Sequence, residues 1–505
     1  MVARDAADGG NYVYTDFSLW GALLNVVGAP GEVNLEKKQQ GILESLRDEG
    51  IRRGASYVEA RLNERESASI VLQDGNADKL FQSNSVGLGI RVLVDGSWGF
   101  ASANGLDPDQ SMLVLDEAIA GAQASRVGRT EEAAVVEMPA IEDHKATSFE
   151  IDPRSVSLQH KMEKLRRLDS AGLAKGQGKL VNRMLSYGDG WQRETICNSF
   201  GSLVEMEYVR TSATATVFAQ EDGVRQRSYS RKAALAGFEL IENLEARDFS
   251  EEAVGKAIGL LSARKAPSGK FPVIFHPSIT GLLTHEALGH NAEADHIVSG
   301  SSILEGKLGD QVASPLVTIV DDATMPGSWG SYFYDSEGTP GARRVLIQDG
   351  KLVGFLHNLE TAAKLGVCPN GSGRAQDYNY RPLVRMSNTY IAPGTSKLED
   401  MLKDIDLGLY LTGGHWGYVF CERGQFTCHA GGGWIIRNGE LAERIRDVSV
   451  SGMTLETLAT VDAVSDAFDM TMPGNCGKCG QGMPVNAGGP HVRVKELVVG
   501  GQQDA

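Results

Sequence analysis

Asp-Gly and Asn-Gly dipeptides recur along the chain, and six of them constrain its fold more than any other feature of the sequence. Both central residues of a type I′ hairpin turn need a positive φ, which Asp, Asn and Gly adopt at the lowest cost. Most of these dipeptides lie between runs compatible with β-strands. The sequence therefore predicts antiparallel hairpins in both halves of the chain, at Asp74-Gly75, Asp95-Gly96, Asp189-Gly190, Asp222-Gly223, Asp349-Gly350 and Asn438-Gly439.

Helical periodicity interrupts these strand patterns at several points. Leu35, Ile42, Leu43 and Leu46 recur at roughly helical spacing in a segment that ends near Gly54. The same kind of spacing predicts further helices over residues 109–124, 156–173, 251–264, 396–402 and 454–463. Because these helices interrupt whole runs of strands, the predicted class is α+β with mainly antiparallel sheets.

A breaker-rich segment from Lys265 to Lys270 is the clearest candidate for a domain boundary. It separates a predicted helix from the apolar run Phe271 to Phe275. A chain of 505 residues also favours two or more domains over one. We predict an N-terminal extension over residues 1–34, an α+β domain over 35–265 and a β-rich domain over 266–505.

The charge balance argues against a nucleic-acid partner. The formal net charge is −16, whereas nucleic-acid affinity rests largely on clustered Lys and Arg. Residues 1–30 lack the pattern of a secretory signal, and no apolar run is long enough to span a bilayer. Six scattered cysteines are too few for a disulfide framework at this length. We therefore expect a cytoplasmic protein without a membrane partner.

The segment from His285 to His290 carries the strongest chemical signal. Its residues are His285, Glu286, Ala287, Leu288, Gly289 and His290, so the two histidines lie five positions apart. On an ideal helix with 3.6 residues per turn they would point about 140° apart, and one metal ion could not bind both. A wide turn or helix end at Gly289 would bring them together, and we predict a distortion there. The alternative interpretation is two polar residues in a Gly-containing helix.

Glu286 lies beside a candidate ligand without being one, which is the position of a general base that takes a proton from a metal-bound water. Catalytic zinc normally has three protein ligands, so a third must come from elsewhere in the chain. Glu293 and Asp295 follow His290 closely and are candidates for orienting an imidazole, because metal-bound His usually donates its second N–H to a carboxylate or carbonyl. A solvated acidic turn is the alternative for that pair.

A Cys-x-x-Cys pair at Cys476 and Cys479 is flanked by glycines and suits a tight loop. Three interpretations stay open on the pattern alone. The pair is a redox dithiol, or half of a structural zinc site completed by Cys421 and Cys428-His429, or the source of the missing catalytic ligand.

These motifs, taken together and in order, resemble those of the TldD/PmbA peptidases, and in particular their metal-bearing TldD-type subunit. The resemblance covers nearly the whole chain after the first thirty or so residues. It appears at residues 87–101, 266–295, 334–343 and 385–390, and at Cys476-Gly-Lys.

The resemblance implies a site and a partner. It implies zinc bound by His285, His290 and Cys476, with Glu286 as the catalytic residue, while Cys479 departs from the family pattern. It further implies pairing with a PmbA/TldE-like subunit that lacks the zinc motif, or a homodimer, and the cleavage of unstructured peptides or peptide precursors.

We therefore expect a zinc-dependent peptidase in which Glu286 activates a zinc-bound water. Two other functions compete with this one. The first is a non-catalytic, metal-stabilised binding or scaffold subunit of a peptidase complex, against which the intact Glu286 argues. The second is a thiol redox enzyme acting through Cys476 and Cys479.

Overall fold

A computed structural model describes residues 30–127 and 129–500 of the chain. Most of the predicted extension over residues 1–34 lies outside the described residues. Its last part lies inside them, because the first helix begins at Pro30.

The first half of the chain forms one sheet with helices packed against it. Seven strands make up this sheet among the described residues, in the order β3-β2-β1-β5-β6-β4, with β7 also paired to β6. The elements are α1 (Pro30–Arg52), β1 (Tyr57–Gln73), β2 (Asn76–Val94), β3 (Ser97–Asn104), α2 (Pro108–Ser125), β4 (Glu142–Ala146), α3 (Leu158–Lys175), β5 (Leu180–Asn198), β6 (Leu203–Glu221), β7 (Val224–Ala234), α4 (Glu239–Glu242) and α5 (Ser250–Leu261).

The second half of the chain is dominated by a larger sheet. Its central path runs β12-β11-β10-β15-β22-β9-β16-β17-β18-β8, and β19, β20 and β21 join it through pairing to β17 or β22. The elements are β8 (Arg264–Lys265), β9 (Gly269–Phe275), α6 (Pro277–Thr284), α7 (Ala294–Val298), β10 (Ile319–Asp322), β11 (Arg343–Gln348), β12 (Lys351–Leu352), α8 (Leu359–Leu365), β13 (Gly373–Arg374), β14 (Leu383–Val384), β15 (Asn388–Ile391), α9 (Leu398–Lys403), β16 (Leu407–Phe420), β17 (Gln425–Arg437), β18 (Glu440–Arg446), β19 (Val448–Met453), α10 (Thr454–Ala459), β20 (Val461–Asp469), β21 (Gly474–Lys478) and β22 (Gln481–Gly500).

Five of the six predicted hairpin turns are confirmed. The turns at residues 74–75, 95–96, 222–223, 349–350 and 438–439 join paired antiparallel strands, and both residues of each have a positive φ. The prediction at Asp189-Gly190 is wrong. Both residues lie inside β5, which pairs with β1 on one side and β6 on the other. There the buried Asp189 carboxylate accepts hydrogen bonds from Lys161 and Tyr187, so a tertiary ion pair outweighs the local turn preference.

The predicted helices are confirmed with small shifts at their ends. They correspond to α1, α2, α3, α5, α9 and α10. In α2, for example, the Asp107 side chain accepts hydrogen bonds from the N–H groups of Asp109 and Gln110 and so caps the first turn. Helices packed on mainly antiparallel sheets confirm the α+β class.

The division of the chain at residue 265 stays a prediction. The chain leaves the first sheet after α5, which packs on β6 and β7, and enters the second sheet with β8, which pairs with β18. The two parts also share buried contacts, because the Arg91 guanidinium of β2 donates a 2.6 Å hydrogen bond to the Glu337 carboxylate in the second half. No helix in residues 30–127 or 129–500 is long and apolar enough to cross a membrane.

The centre of the second half positions the predicted site. Strand β9 lies between β22 and β16, and α6 follows it directly, with nearly all of its residues buried. Ile279 and Leu283 of α6 pack into the largest apolar core of the described residues. The chain that continues from α6 into His285 is therefore held on a rigid, buried element.

Candidate metal centre

A π-helical turn from His285 to Gly289 follows α6 and accounts for the unusual histidine spacing. The backbone N–H of His290 donates to the carbonyl oxygen of His285, so five residues close one wide turn where an α-helix would use four. Both imidazoles then lie on the same side of the chain. Their ring centroids are 5.0 Å apart and their planes are nearly perpendicular, at 80°.

The distortion predicted near Gly289 is confirmed, but the glycine has a different role from the one expected. Its φ of −50° is an ordinary right-handed helical value, so conformational freedom is not what the position requires. A Cβ atom built on Gly289 would lie 2.1 Å from the Sδ atom of Met386. The glycine is needed because Met386 packs directly against the turn.

Cys476 approaches the two histidines from the far end of the chain. It lies on β21, and its Sγ atom is 3.3 Å from the Nε2 atom of His290. One ligand atom from each of His285, His290 and Cys476 can be chosen so that all three lie within 4.8 Å of one another. The cluster brings together the three predicted ligands, separated by almost two hundred positions in the sequence.

Cys479 does not join this cluster. It forms the turn between β21 and β22, has a φ of 49° and is exposed. Cys421 and Cys428 are also absent from the candidate metal clusters in the described part of the chain. Cys479-Gly480 thus makes a hairpin turn of the same kind as the five confirmed Asp-Gly and Asn-Gly turns, although a Cys-Gly dipeptide does not predict one.

The electrostatics of the cluster favour a thiolate at Cys476. Burial opposes ionisation of this thiol, but the nearby imidazoles, His285 before His290, outweigh it and lower the pKa of Cys476 to about 4. Burial likewise opposes protonation of the imidazoles, yet the contact with Cys476 raises the pKa of His285. Glu293 and then Cys476 raise the pKa of His290. A deprotonated sulfur is the form that binds a metal ion.

Charged groups behind His290 hold its imidazole in place. Its Nδ1 atom lies 3.0 Å from Oε2 of Glu293, a fully buried carboxylate. The Nζ atom of Lys478 donates to the same Glu293 oxygen at 3.0 Å and to Asp295 at 2.8 Å. Although burial opposes ionisation, Lys478 and then His290 lower the pKa of Glu293. Glu293 therefore occupies the position predicted for an imidazole-orienting carboxylate, and Asp295 contacts Lys478.

Sequence reasoning assigned no role to Lys478 or Arg385. Lys478 follows Cys476 by two positions on β21, so both side chains are on one face of the strand. The two-residue alternation of a strand could therefore have identified Lys478 from the sequence. The Arg385 guanidinium donates to the carbonyl oxygens of Cys476 and Gln481 and so holds the two strands of the hairpin. The signal for Arg385 is absent from the sequence because its partners are backbone atoms far along the chain.

Glu286 lies beside the cluster and faces a cleft. It is partly exposed, whereas the neighbouring His285 is buried. Gly417 of β16 leaves room for it, since a Cβ atom at that glycine would lie 2.7 Å from the Cγ atom of Glu286. The cleft measures about 730 Å³ and is lined by both halves of the molecule, with Thr214, Thr216, Arg227, Tyr229 and Arg231 on one side and Glu286, Trp416, Tyr418 and Cys476 on the other.

The donor set fits a metal ion. Two imidazoles and a thiolate are the nitrogen and sulfur ligands that a first-row metal takes, and three protein ligands leave one coordination position open. The Nδ1 atom of His285 is buried and has no hydrogen-bond partner among the described residues. The carboxylate on the far side of His290 is the usual partner of a metal-bound imidazole.

Comparison with protein families shows three matching segments. Residues 58–125 match domain 1 of the PmbA/TldA metallopeptidases, residues 151–261 match their central domain and residues 268–501 match their C-terminal domain.

Individual relatives cover most of the chain. A metalloprotease of Methanothermobacter thermautotrophicus is 37% identical over 88% of this chain and 95% of its own length. A zinc metalloprotease TldD homolog of Saccharolobus solfataricus is 27% identical over 89% of this chain and 97% of its own length. The crystal structure of TldE from Thermococcus kodakarensis superposes with a TM-score of 0.73, at 20% identity, and covers 91% of this chain and 99% of that one. This last likeness shows a shared fold.

Proposed function

The chain belongs to the PmbA/TldD family of metallopeptidases, and from this premise we propose that it hydrolyses unstructured peptides with a zinc ion held by His285, His290 and Cys476. The observation that carries the proposal is the convergence of these three side chains beside Glu286 at the wall of an open cleft. A relative described as a zinc metalloprotease supports the choice of metal.

Zinc suits this donor set because it accepts nitrogen and sulfur ligands in a tetrahedral arrangement with a free fourth position. When bound, it would polarise the scissile carbonyl group and make a water molecule at the site more acidic. His285 and His290 supply nitrogen donors, and Cys476 supplies the thiolate. Glu293 holds His290 in one ring orientation through its Nδ1 atom.

Glu286 is the proposed general base and general acid. Its carboxylate takes the proton of the attacking water, whose oxygen forms the new bond to the peptide carbonyl carbon. When the C–N bond breaks, Glu286 passes that proton to the leaving amine. Both products are then complete, a carboxylic acid and an amine, and Glu286 has returned to its starting charge.

The cleft suits an extended peptide. Strand β21 pairs only with β22 among the described residues, so its other edge carries no strand beside Cys476. A peptide that adds to this edge would be held mainly through backbone hydrogen bonds, and its side chains would be read weakly. Folded proteins cannot offer a free backbone, and the substrate class is therefore unstructured peptides or peptide precursors.

The proposed assembly is a heterodimer with a PmbA/TldE-like subunit, or a homodimer, in the cytoplasm. Membership of the family and the fold shared with a TldE protein support this assembly. The acidic net charge supports the absence of a nucleic-acid partner.

The test compares Glu286→Gln with the unchanged protein, each prepared alone and with a PmbA/TldE-like subunit. Zinc content is measured by elemental analysis, and hydrolysis is followed with an unstructured fluorogenic peptide. We expect Glu286→Gln to keep its zinc and to lose at least a hundredfold in kcat, because proton transfer contributes about 10²–10⁴-fold.

Other outcomes identify the competing functions. Equal turnover by Glu286→Gln would remove Glu286 from the mechanism. Zinc binding without hydrolysis by any preparation would favour the scaffold subunit. Thiol-dependent activity that survives His285→Ala would favour the redox enzyme.

A further inference from the structure

One wall of the cleft carries two arginines on a single strand face. Arg227, Tyr229 and Arg231 alternate along β7, so their side chains project to the same side of the sheet. Thr214 and Thr216 lie opposite Arg231 and Tyr229 on β6. All five residues line the cleft that also contains Glu286 and the three proposed zinc ligands.

Neither arginine has a carboxylate partner within the described part of the chain. The Nε atom of Arg231 is buried without a hydrogen-bond partner, and its guanidinium lies 5.8 Å from the centre of the Trp329 ring. Burial lowers the pKa of Arg231, and the opposite effect of Tyr229 is too small to offset it. By contrast, the buried Arg91 and Arg183 each contact one or more carboxylates.

The surroundings make this positive charge unusual. The chain carries a formal net charge of −16, yet Glu286 is the only acidic residue among the described residues that line the cleft. Arg231 also borders two adjoining cavities of about 600 and 660 Å³. Arg231 therefore lies where the cleft and these two cavities meet.

We propose that Arg231, assisted by Arg227, binds a carboxylate of the peptide substrate. This inference rests on the proposed function and specifies its substrate class: peptides that place an acidic side chain or their C-terminal carboxylate a short distance from the scissile bond. A guanidinium matches a carboxylate with two parallel N–H donors, and partial burial strengthens the pair.

The experiment measures binding separately from catalysis. The zinc-loaded protein with Glu286→Gln is titrated at 150 mM salt with fluorescently labelled peptides of one sequence. Four versions differ only in charge: Glu or Gln at one central position, each with a free or an amidated C-terminus. A hydrogen bond to a charged group contributes about 1.5–3 kcal/mol, so we expect loss of the recognised carboxylate to weaken binding about tenfold or more.

Three further substitutions test the assignment to these residues. Arg231→Gln in the same background is expected to bind all four peptides with similar affinity, and Arg227→Gln, at an exposed position, should reduce the preference in part. Arg225→Gln is the matched control, because Arg225 lies on the same face of β7 outside the cleft. It should keep the preference. Circular dichroism checks that each variant is folded.

The outcomes separate this inference from the proposed function. If the Gln peptides bind more weakly than the Glu peptides, the recognised carboxylate is the side chain. If the amidated peptides bind more weakly, it is the C-terminus. Affinities that agree within twofold across the four peptides overturn the inference even if the unchanged protein hydrolyses them. A preference that Arg225→Gln removes as fully as Arg231→Gln also overturns it, because the attraction would then be general. Absence of hydrolysis by the unchanged protein contradicts the proposed function alone.

Discussion

Cys476 is the proposed ligand that comes from outside the α6 region, and the neighbouring Cys479 provides its control. We expect Cys476→Ser to lose nearly all zinc, because a serine hydroxyl remains protonated and is a poor zinc ligand. Cys479→Ser should retain a full equivalent, since Cys479 is exposed at a turn. Elemental analysis after dialysis measures both. If Cys476→Ser keeps its zinc and Cys479→Ser loses it, the assignment of Cys476 as the ligand is wrong.

Lys478 supports the metal site through its contact with Glu293. Removing its charge in Lys478→Met leaves a buried carboxylate without its cation, and the orientation of His290 depends on that carboxylate. Loss of such an outer partner typically costs 10–100-fold in metal affinity, and we expect a loss of about that size. Competition with a chromogenic chelator measures it. Lys403→Met is the control, because the ion pair of Lys403 with Asp400 is exposed. Equal zinc affinity in the two variants would exclude a positioning role for Lys478.

The π-helical turn is the decisive feature among the elements. Five residues close this turn, and that geometry permits a single metal ion to reach both His285 and His290. The turn packs against Met386 so closely that a methyl group at Gly289 would overlap the Met386 sulfur. Packing of the turn against Met386, and not backbone freedom, therefore determines the residue at this position.

Gly289→Ala tests that contact. We expect a destabilisation of about 1–3 kcal/mol, which is typical when extra atoms enter a packed core. Thermal unfolding and zinc content are the measurements. We also expect Gly289→Ala to bind less zinc, because a displaced turn would misalign His285 and His290. The double variant Gly289→Ala with Met386→Ala lacks the overlapping sulfur and should recover part of that zinc binding. No recovery would mean that the glycine is required for another reason.

Across the whole molecule, a buried charge cluster joins the two halves that form the cleft. Arg91 of the first sheet contacts Glu59 at 2.9 Å and Glu337 of the second half at 2.6 Å, and its guanidinium lies 4.4 Å from the Trp98 ring centre. Burial opposes the charge on Arg91, but Glu59 and Glu337 raise its pKa. The relative placement of the two cleft walls thus depends in part on a buried ionic contact.

Arg91→Met is expected to destabilise the protein by about 3–5 kcal/mol, because it leaves the buried Glu337 carboxylate without its cation. Arg126→Met removes a cation from the exposed pair with Asp95 and should cost less than about 1 kcal/mol. Urea unfolding followed by tryptophan fluorescence compares the two. Similar midpoints would show that the Arg91 cluster does not hold the halves together.

Local interactions explain why much of the fold could be predicted. Asp-Gly and Asn-Gly favour one turn geometry, and five of the six hairpin turns predicted at such dipeptides are present. The exception, Asp189-Gly190, lies where Lys161 of α3 provides a buried cation. The sequence could not indicate that ion pair, because it depends on how α3 packs on β5.

The sequence alone determined the chemistry of the site, because it contains the spacing of His285, Glu286 and His290 and the thiol of Cys476. Which thiol meets the histidines, and how the histidines meet each other, only the tertiary structure decided. The π-helical turn packs against Met386, and Glu293 with Lys478 orients His290. Arg385 holds the hairpin that carries Cys476. The physical reason is range: turn preferences act between neighbours, whereas packing and buried charge act between residues that folding alone brings together.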